Sequence, residues 1–156
     1  MRVRVIAVGT RMPAWVRSAC EDYLDRLRGA LSVTLTEIEP GVRRAGAAPQ
    51  RAIATEGERL LKALLPADHV VALDERGREL TTREFADWLG RRMHAGADLA
   101  FVIGGPDGLA PELLTRSDFS LSLSRLTLPH ALVRVLLSEQ IYRAHRILVN
   151  HPYHRA

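Results

Sequence analysis

The chain has 156 residues, of which 47% are hydrophobic, and its 22 basic and 18 acidic side chains give a formal net charge of +4. This length suffices for one domain with a buried core and is short for two, so residues 1–156 are predicted to form a single domain. The longest apolar runs are shorter than the roughly 18 residues of a membrane span, and the first residues carry no apolar signal segment with a cleavage site. With Cys20 as the single cysteine, an intramolecular disulfide is excluded, and a cytoplasmic protein is predicted.

The basic residues are almost all arginine, since Lys62 is the single lysine. Arginine presents a planar, bidentate fork to phosphate groups, so this composition favours an acidic polymer as the partner. A compositional bias of the whole genome would give the same excess of arginine, and the two explanations are compatible.

Strands and helices alternate along the first half of the chain. An apolar strand over residues 3–8 ends at Gly9, and the following segment, 15–28, carries apolar residues at helical spacing before Gly29. Cys20 lies on that apolar face and is predicted to be a core residue and not a nucleophile. The next predicted elements are a strand over residues 32–39, a loop over 40–50 and a helix over 51–65 that ends at Pro66.

The alternation continues through the second half of the chain. The predicted elements are a strand over residues 69–74, a turn over 75–79, a helix over 81–96, a strand over 99–105, a short helix over 111–117, a short strand over 119–123 and a long helix over 130–150. A Thr-x-x-Glu capping box, at or close to Thr81–Glu84, opens the first of these helices. Strands that are apolar on both faces and alternate with helices indicate a mainly parallel sheet covered on both sides. From this alternation alone, an unknotted flavodoxin-like sheet is predicted.

A glycine-rich segment, residues 104–108, follows the most apolar strand, and we call it the glycine corner. In open α/β sheets, ligands bind outside the carboxyl ends of the strands, where this segment lies. Its three glycines let the backbone approach a ligand closely and leave N–H groups to bind it. No Gly-Lys-Ser/Thr follows, as in a Walker A loop, and the spacing is not GxGxxG. A tight strand-to-helix corner is the purely structural alternative.

An apolar loop, Leu-Thr-Leu-Pro-His at residues 126–130, connects the fifth predicted strand to the last helix. Loops normally run over the wet surface, so something apolar is predicted to cover this one. Two explanations stay open: the loop packs against the glycine corner, or a flat heteroaromatic ligand lies between the two loops.

The last helix carries one apolar stripe, wider than a helix of a small domain needs, which predicts a homodimer that pairs through it. The stripe consists of Val133, Leu136, Leu137, Ile141, Ala144, Ile147 and Leu148, and the polar residues predicted to lie elsewhere are Arg134, Glu139, Arg143 and Arg146. Glu139 and Arg143 are spaced i,i+4 for an ion pair, which would be weak at a surface.

The histidines near this helix are ambiguous. His130 is predicted to cap or orient the start of the helix and not to act as a base. His151 and His154 are spaced as metal ligands can be, but no acidic or thiol ligand lies nearby in the sequence, so no metal site is predicted.

Four stretches carry a resemblance to a known family. They are VIAVGTRMPAWV at residues 5–16, EGERLL at 56–61, IGGPDGL at 103–109 and LTLPHALVRVLLSEQIYRAHRILVNHPYHR at 126–155. Together they resemble the ribosomal large-subunit methyltransferase H family of the SPOUT methyltransferases, over essentially the whole chain. The resemblance implies a SPOUT-type α/β fold, with a parallel sheet flanked by helices and a C-terminal trefoil knot, in place of the unknotted sheet.

The resemblance also implies a cofactor, S-adenosyl-L-methionine, held in a bent conformation by the knot. By matching motifs, the residues implied to line it are Leu73, Gly104, Gly105, Leu123, Ser124, Arg125, Leu126, Thr127 and Leu128. Backbone groups would read the adenine, so glycine and apolar residues suit these loops. Position 107 is Asp where the family often has Glu, which leaves a direct role for this carboxylate open.

The activity implied by the resemblance is methylation of N3 of a pseudouridine in helix 69 of the large-subunit ribosomal RNA, by a homodimer. The reaction therefore needs a group that accepts the N3 proton, or one that stabilises the negative charge left on the base when this proton is lost. The candidate catalytic residues are Glu139, Arg143, Tyr153, His154 and Arg155. His154 can accept a proton, Tyr153 can stack on a base, and Arg143 and Arg155 can bind phosphate or the developing oxyanion.

The tail is predicted to reach the partner subunit's cofactor more closely than its own, which would make each active site composite. Arg43, Arg44 and Arg51 in the loop over residues 40–50 are further phosphate-binding candidates, although an exposed basic loop is also ordinary solvated surface. Two rival classes remain: a module that docks on ribosomal RNA without chemistry, and a nucleotide-dependent enzyme that hydrolyses through His130 or His154. Binding of S-adenosylmethionine would count against the first, and the missing phosphate-loop lysine counts against the second.

Overall fold

Five parallel strands form one sheet in the order β2-β1-β4-β3-β5. The structure is a computed structural model that describes residues 1–155, and for His154 and Arg155 it describes the backbone alone. The strands are β1 (Arg2–Val8), β2 (Ser32–Ile38), β3 (His69–Glu79), β4 (Leu99–Ile103) and β5 (Phe119–Ser122). The helices are α1 (Ala14–Asp25), α2 (Gln50–Ala63), α3 (Thr82–Ala95), α4 (Pro111–Arg116) and α5 (His130–Leu148), and a C-terminal 3-10 helix spans Pro152–Arg155.

Helices cover both faces of the sheet, because successive strand residues point to opposite sides. Val3 and Val5 of β1 belong to a core that includes buried residues of α3 and α5, whereas Ile6 and Val8 belong to a second core with α2 and α4. On the first face, both α1 and α3 contact α5. The predicted α/β architecture, a parallel sheet covered on both sides, is therefore confirmed.

The lateral order of the strands differs from that of a flavodoxin-like sheet. In the flavodoxin-like order, 2-1-3-4-5, β3 would lie next to β1; here β4 lies between β1 and β3. The alternation of strands and helices contains no information about lateral order, so the prediction made from alternation alone was wrong on this point. The crossovers through α1 and α3 run one way along the sheet and those through α2 and α4 run the other way, as a constant crossover hand requires.

Strand β3 continues through residues 75–79, where a turn was predicted. The register of its pairing with β5 shifts between Leu73 and Arg78, so residues 74–77 bulge out of the ladder. Gly77 permits this bulge, because a Cβ there would come within 2.8 Å of the backbone of Leu121. The charged residues that suggested a turn are those of the bulge.

The local predictions for α1 and α3 are confirmed. The side chain of Thr81 accepts from the Glu84 amide, and the Glu84 carboxylate accepts from the Thr81 amide, which completes the capping box. Cys20 is buried in α1, as expected of a core residue. Within the described part of the chain, no helix combines the length and apolarity that a membrane crossing requires.

Candidate active site

A pocket of about 650 Å³ opens at the carboxyl edge of the sheet. It lies beyond the ends of β3 and β4, between the glycine corner and the segment over residues 121–133, so the two loops singled out in the sequence line one cavity. This volume falls within the range of small-molecule and cofactor sites. The position is also the one where open α/β sheets bind their ligands.

The structure brings together all of the predicted cofactor residues except one. The lining includes Leu73, Gly104, Gly105, Leu123, Ser124, Leu126, Thr127 and Leu128. Arg125 is not among the lining residues: its side chain is 87% exposed and lies 3.4 Å from the Glu79 carboxylate. The apolar loop is not fully covered, since Leu126 is 75% exposed at the mouth of the pocket. Whether these residues bind a cofactor stays a prediction.

The pocket also includes charged residues that sequence reasoning missed. Asp74, Glu75 and Arg76 of the β3 bulge line it, as do His130 and Val133 at the start of α5. Residues 75–79 were interpreted as a turn, so the side chains of Glu75 and Arg76 were not placed beside the strand end. The signal was present in the sequence, because Asp74 and Glu75 directly follow an apolar strand.

The glycine corner is a tight turn that is held by its own backbone. The Gly108 amide donates to the Gly105 carbonyl oxygen at 3.1 Å, and Gly108 has a φ of +84°, which glycine adopts without strain. A Cβ on Gly104 would come within 2.8 Å of the Gly108 backbone. The segment is therefore a tight strand-to-helix corner and also a wall of the pocket.

Behind the corner lies a buried carboxylate, Glu56 of α2, which is 2% exposed. Its Oε1 accepts from the Gly41 amide at 3.0 Å and from Nη1 of Arg43 at 2.6 Å. Nε of Arg43 donates to Oδ2 of Asp107 at 2.7 Å. Hydrogen bonding to Glu56 raises the pKa of the Arg43 guanidinium. Arg43 is therefore engaged within the protein by two carboxylates, which compete with its predicted role as a phosphate ligand.

Arg134 of α5 is buried, with 1% of its surface exposed, although it was predicted to lie away from the apolar stripe. Its Nη2 donates to the carbonyl oxygens of Val8 at 2.9 Å and of Gly9 at 2.8 Å, and its Nη1 donates to Glu37 Oε2 at 2.8 Å. These acceptors lie at the ends of β1 and β2, so the charge is compensated where it is buried. The prediction failed because periodicity treats every arginine as a surface residue.

His130, the first residue of α5, lines the pocket and does not cap the helix. Pro129 is the N-cap residue, and no side chain makes a capping hydrogen bond there. Burial, together with the nearby positive charges of Arg134 and Arg43, lowers the pKa of His130, so its imidazole is neutral at physiological pH. A neutral imidazole at a pocket wall can accept a proton or a hydrogen bond.

Three of the predicted catalytic residues meet at the other end of α5, and we call them the tail cluster: Glu139, Arg143 and Tyr153. The predicted ion pair is present, with Nη2 of Arg143 at 2.7 Å from Glu139 Oε1, but it is mostly buried: the side chains are 14% (Glu139) and 23% (Arg143) exposed. The Tyr153 hydroxyl donates to Glu139 Oε1 at 3.3 Å. The Arg143 guanidinium lies 4.9 Å from the centre of the Tyr153 ring.

The tail cluster holds the C-terminal 3-10 helix on α5. The rings of Tyr153 and Tyr142 pack edge to face, with centroids 4.7 Å apart. Burial raises the pKa of Tyr153 to about 12, so its phenol is protonated at neutral pH. The predictions for the side chains of His154 and Arg155 lie outside the described residues.

Within one chain, the tail cluster and the pocket do not meet. An α-helix rises about 1.5 Å per residue, so Glu139 lies roughly 14 Å and Arg143 roughly 20 Å along α5 from His130 in the pocket wall. The structure therefore separates these three predicted catalytic residues from the predicted cofactor residues. No group of three or more potential metal ligands occurs among the residues that the structure describes.

These features define the class of the protein, which is an α/β protein with a ligand pocket at the carboxyl edge of its sheet. A family model described as predicted SPOUT methyltransferase matches residues 1–154. A protein from Alkalilimnicola ehrlichii named ribosomal RNA large subunit methyltransferase H is 52% identical over 156 residues, which cover 100% of both chains. A protein of the same name from Chromobacterium violaceum is 48% identical over 155 residues, which cover 99% of both chains. The chain therefore belongs to the ribosomal RNA large subunit methyltransferase H family of SPOUT methyltransferases, as the sequence motifs predicted.

Solved structures support the fold. A probable methyltransferase from Bordetella pertussis aligns with a TM-score of 0.59 at 21% identity and covers 92% of this chain and 94% of its own. A probable methylase family protein from Haemophilus influenzae aligns with a TM-score of 0.56 at 17% identity, over 97% of this chain and 69% of its own. At these identities the likeness concerns the fold alone.

Proposed function

We propose that this protein transfers a methyl group from S-adenosylmethionine to N3 of a pseudouridine in helix 69 of the large-subunit ribosomal RNA. The observation that carries the proposal is the pocket, because two separate segments, residues 103–109 and 126–130, both of which match family motifs, converge on it. The relatives that share these motifs are named for methylation of this RNA. A ribosomal RNA substrate also accords with the arginine-rich composition and with a cytoplasmic protein.

The residues present fit this cofactor. Leu73, Leu123 and Leu128 offer apolar contacts to a flat base, and Gly104 and Gly105 let backbone groups approach it. The carboxylates of Asp74 and Glu75 suit positively charged groups. When bound, S-adenosylmethionine supplies a methyl group that its sulfonium already activates, so the protein has mainly to align the two reactants.

The protein must also manage the proton on N3 of the base, which an imide does not lose readily at neutral pH. Tyr153 is a poor acceptor, because a phenol with a pKa near 12 holds its proton. Arg143 is bound to Glu139 and stacked on Tyr153, so these three residues support the tail. We propose His154 as the proton acceptor, with Arg155 stabilising the developing negative charge.

We infer a homodimer in which each pocket is completed by the partner's tail. The support is the separation of roughly 14–20 Å between His130 and the tail cluster along the rigid helix α5. A tail held on its own helix cannot fold back to its own pocket without losing the Tyr153 contacts. If instead the site is built within one chain, His130 is the imidazole in the pocket wall that would take the proton.

We also infer the trefoil knot. After β5, at one edge of the sheet, residues 123–129 carry the chain past the ends of β3 and β4, and α5 begins next to the end of β1. This return of the chain across neighbouring strands, beside the glycine corner and the β3 bulge that line the same pocket, supports the inference.

Mass spectrometry of ribosomal RNA from cells that lack the protein tests the proposed function. We expect the loss of one methyl group from a single pseudouridine, and its restoration when purified protein and S-adenosylmethionine are added to large subunits or whole ribosomes from those cells. A substrate RNA with uridine at that position tests the preference for pseudouridine. An unchanged RNA would remove the proposal, and a protein that binds RNA but not S-adenosylmethionine would be the docking module.

A further inference from the structure

An arginine bridge, of which one end is the buried carboxylate of Glu56, supports the glycine corner from behind. It joins three elements: Glu56 on α2, Arg43 in the loop after β2, and Asp107 in the corner itself. Arg43 uses separate nitrogens for the two carboxylates, with Nη1 at 2.6 Å from Glu56 and Nε at 2.7 Å from Asp107. Only a guanidinium can span both groups with this geometry, because its donors form a rigid fork.

The carboxylate of Glu56 is in close contact with the wall of the pocket. A Cβ built on Gly105 would lie 3.1 Å from Oε2 and 3.2 Å from Oε1 of Glu56. Gly105 thus has the pocket on one side and a buried negative charge on the other. Any displacement of Glu56 would move the backbone that forms the pocket wall.

The motif EGERLL, which marks the family resemblance, begins with Glu56 and Gly57, and both residues contribute to this arrangement. A carboxylate as deeply buried as Glu56 is tolerated only when it is paired and hydrogen-bonded, which Arg43 and the Gly41 amide achieve. Gly57 lets α2 lie close to the segment after the corner, because a Cβ there would come within 2.6 Å of the Ala110 Cβ. Both residues fix the position of α2 relative to the corner.

We propose that Arg43 is a positioning residue for the cofactor site: by bridging Glu56 and Asp107 it fixes the glycine corner in the shape that binds S-adenosylmethionine. This inference rests on the proposed function, since it takes S-adenosylmethionine as the ligand. The role of the Asp107 carboxylate is then to anchor the glycine corner to Arg43. Arg43 itself touches neither cofactor nor RNA.

The chain offers a matched control in Arg59, also on α2. Its Nη1 donates to the carbonyl oxygens of Glu39 at 2.8 Å and Pro40 at 3.0 Å, so it anchors the same loop to the same helix. It makes no contact with the corner among its hydrogen bonds in the described structure. Loss of Arg59 therefore loosens the loop and leaves the bridge, whereas loss of the Asp107 charge breaks the bridge and leaves the loop anchored.

The test measures the dissociation constant of S-adenosylmethionine by calorimetry, and the melting temperature, for the full chain and its variants. Asp107→Asn should weaken binding roughly 5- to 20-fold, since it removes one charge-assisted bond of a partly exposed pair. Asp107→Glu keeps the carboxylate and should bind within about threefold of the parent, and Arg59→Lys within about twofold. The kcat for methyl transfer at saturating cofactor should be unchanged in Arg59→Lys, which lies outside the pocket and the bridge.

Asp107 also lines the pocket, so a direct contact with the cofactor has to be separated from the bridge. Arg43→Gln retains a donor for Glu56 but cannot hold Asp107 by charge. In that background, Asp107→Asn should weaken binding by less than about twofold further, since the bond is already lost. An equal loss in both backgrounds would mean that Asp107 binds the cofactor itself, and it would overturn the proposal.

The outcomes distinguish this inference from the function on which it rests. If the parent protein fails to bind S-adenosylmethionine, the proposed function fails. If the parent binds it, three results would refute the positioning role of Arg43 alone. They are an Asp107→Asn variant that binds as tightly as the parent, an Asp107→Glu variant that loses as much affinity as Asp107→Asn, and an Arg59→Lys variant that loses as much affinity as either. Should Arg43→Gln not fold, Arg43→Lys supplies the background instead, because a single ammonium cannot span both carboxylates.

Discussion

Arg134 and Gly9 lie 125 positions apart in the sequence, yet Nη2 of Arg134 donates to the Gly9 carbonyl oxygen at 2.8 Å. The same guanidinium binds the Val8 carbonyl oxygen and the carboxylate of Glu37. A Cβ on Gly9 would come within 3.0 Å of Nη2, so glycine at this position allows the approach. One buried side chain thus fixes the start of α5, and with it the pocket wall formed by His130, to the ends of β1 and β2.

We predict that Arg134→Leu lowers the free energy of unfolding by about 2–3 kcal/mol. The substitution leaves two carbonyl oxygens without their donor and Glu37 without its partner, although Glu37 is partly hydrated and its share is discounted accordingly. Urea denaturation would measure the change. Arg83→Leu, at an exposed position of α3, is the control and should stay within about 0.5 kcal/mol of the parent. Equal losses at both positions would contradict a special role for the buried arginine.

Arg134 also shows what the sequence could and could not reveal. Apolar periodicity predicted the helix and three of its seven buried residues, Leu137, Ile141 and Ala144, because burial of apolar side chains follows geometry that repeats every 3.6 residues. A buried charge has no such period, and its partners, Glu37 and the end of β1, lie about a hundred residues away. The burial of Glu56 was not predictable from periodicity either, because it depends on Arg43 in the loop that precedes α2.

The pocket was more predictable than the network behind it. Glycines and apolar residues directly after strands are legible in the sequence, and parallel strands bring their carboxyl ends to one edge. Arg125 was included because it lies between lining residues, but neighbouring residues of a loop point in different directions, and its side chain faces solvent and Glu79. The strand order could not be inferred, since alternation is the same for both orders.

We predict that Gly105→Ala weakens S-adenosylmethionine binding roughly tenfold, because its Cβ would press on Glu56 at 3.1 Å and on Val8 at 3.3 Å and so displace the corner. In the structure the Cβ points away from the pocket, so both binding and stability should change.

Gly29→Ala is the control for the glycine corner. Gly29 has a φ of +83° and no atom within 4 Å of a built Cβ, so alanine there costs about 1 kcal/mol of stability through backbone strain. Its cofactor affinity, measured by calorimetry, should equal that of the parent. If Gly29→Ala and Gly105→Ala lose affinity alike, general destabilisation explains the effect and the corner does not.

We predict that the protein loses stability as the pH falls below about 6.5. Burial lowers the pKa of His69, of His130 and of His145 from the ordinary value of 6.5. Between the folded and unfolded pKa values, the unfolded chain binds protons that the folded chain does not, so the free energy of unfolding falls as the pH falls. Above about pH 7.5 the three imidazoles are neutral in both states and contribute no pH dependence.

His145→Leu should reduce this pH dependence. Among the described residues, the buried Nδ1 of His145 meets no hydrogen-bond partner, so leucine can replace the ring without stranding a polar group. Urea denaturation at pH 7.5 and pH 5.5 gives the difference in free energy of unfolding, which should be smaller in the variant. His94→Leu, at an exposed site, is the control. A pH dependence unchanged by His145→Leu would refute the contribution of this residue.

We predict that His154→Ala lowers the rate of methyl transfer by about 10²- to 10⁴-fold, as expected for a lost general base, and leaves cofactor affinity unchanged. Tyr153→Phe removes only the hydroxyl that donates to Glu139 and keeps the ring packed on Tyr142, so its effect should be below about tenfold. Single-turnover kinetics at saturating RNA would compare them. If Tyr153→Phe is the more damaging variant, the phenol acts directly and His154 is not the acceptor.

The composite site can be tested with a heterodimer of two damaged subunits. One subunit carries Gly105→Val, which disables its cofactor pocket, and the other lacks residues 152–156, which removes its tail. If the tail serves the partner, one of the two pockets has both an intact corner and an intact tail, so about half of the activity per dimer should survive. If the tail serves its own chain, neither pocket is complete and the activity should vanish.

The reciprocal heterodimer gives the opposite expectation and so controls for assembly. Here one subunit carries both changes and its partner is unaltered. In a composite site the unaltered pocket lacks a tail and the unaltered tail faces a disabled pocket, so activity should vanish; in a site built within one chain, the unaltered subunit keeps about half. Sedimentation must show that both mixtures are dimers, because a fully active monomer would rule out the composite site. Half activity in the reciprocal dimer, with none in the first, would show that the tail completes the site of its own subunit.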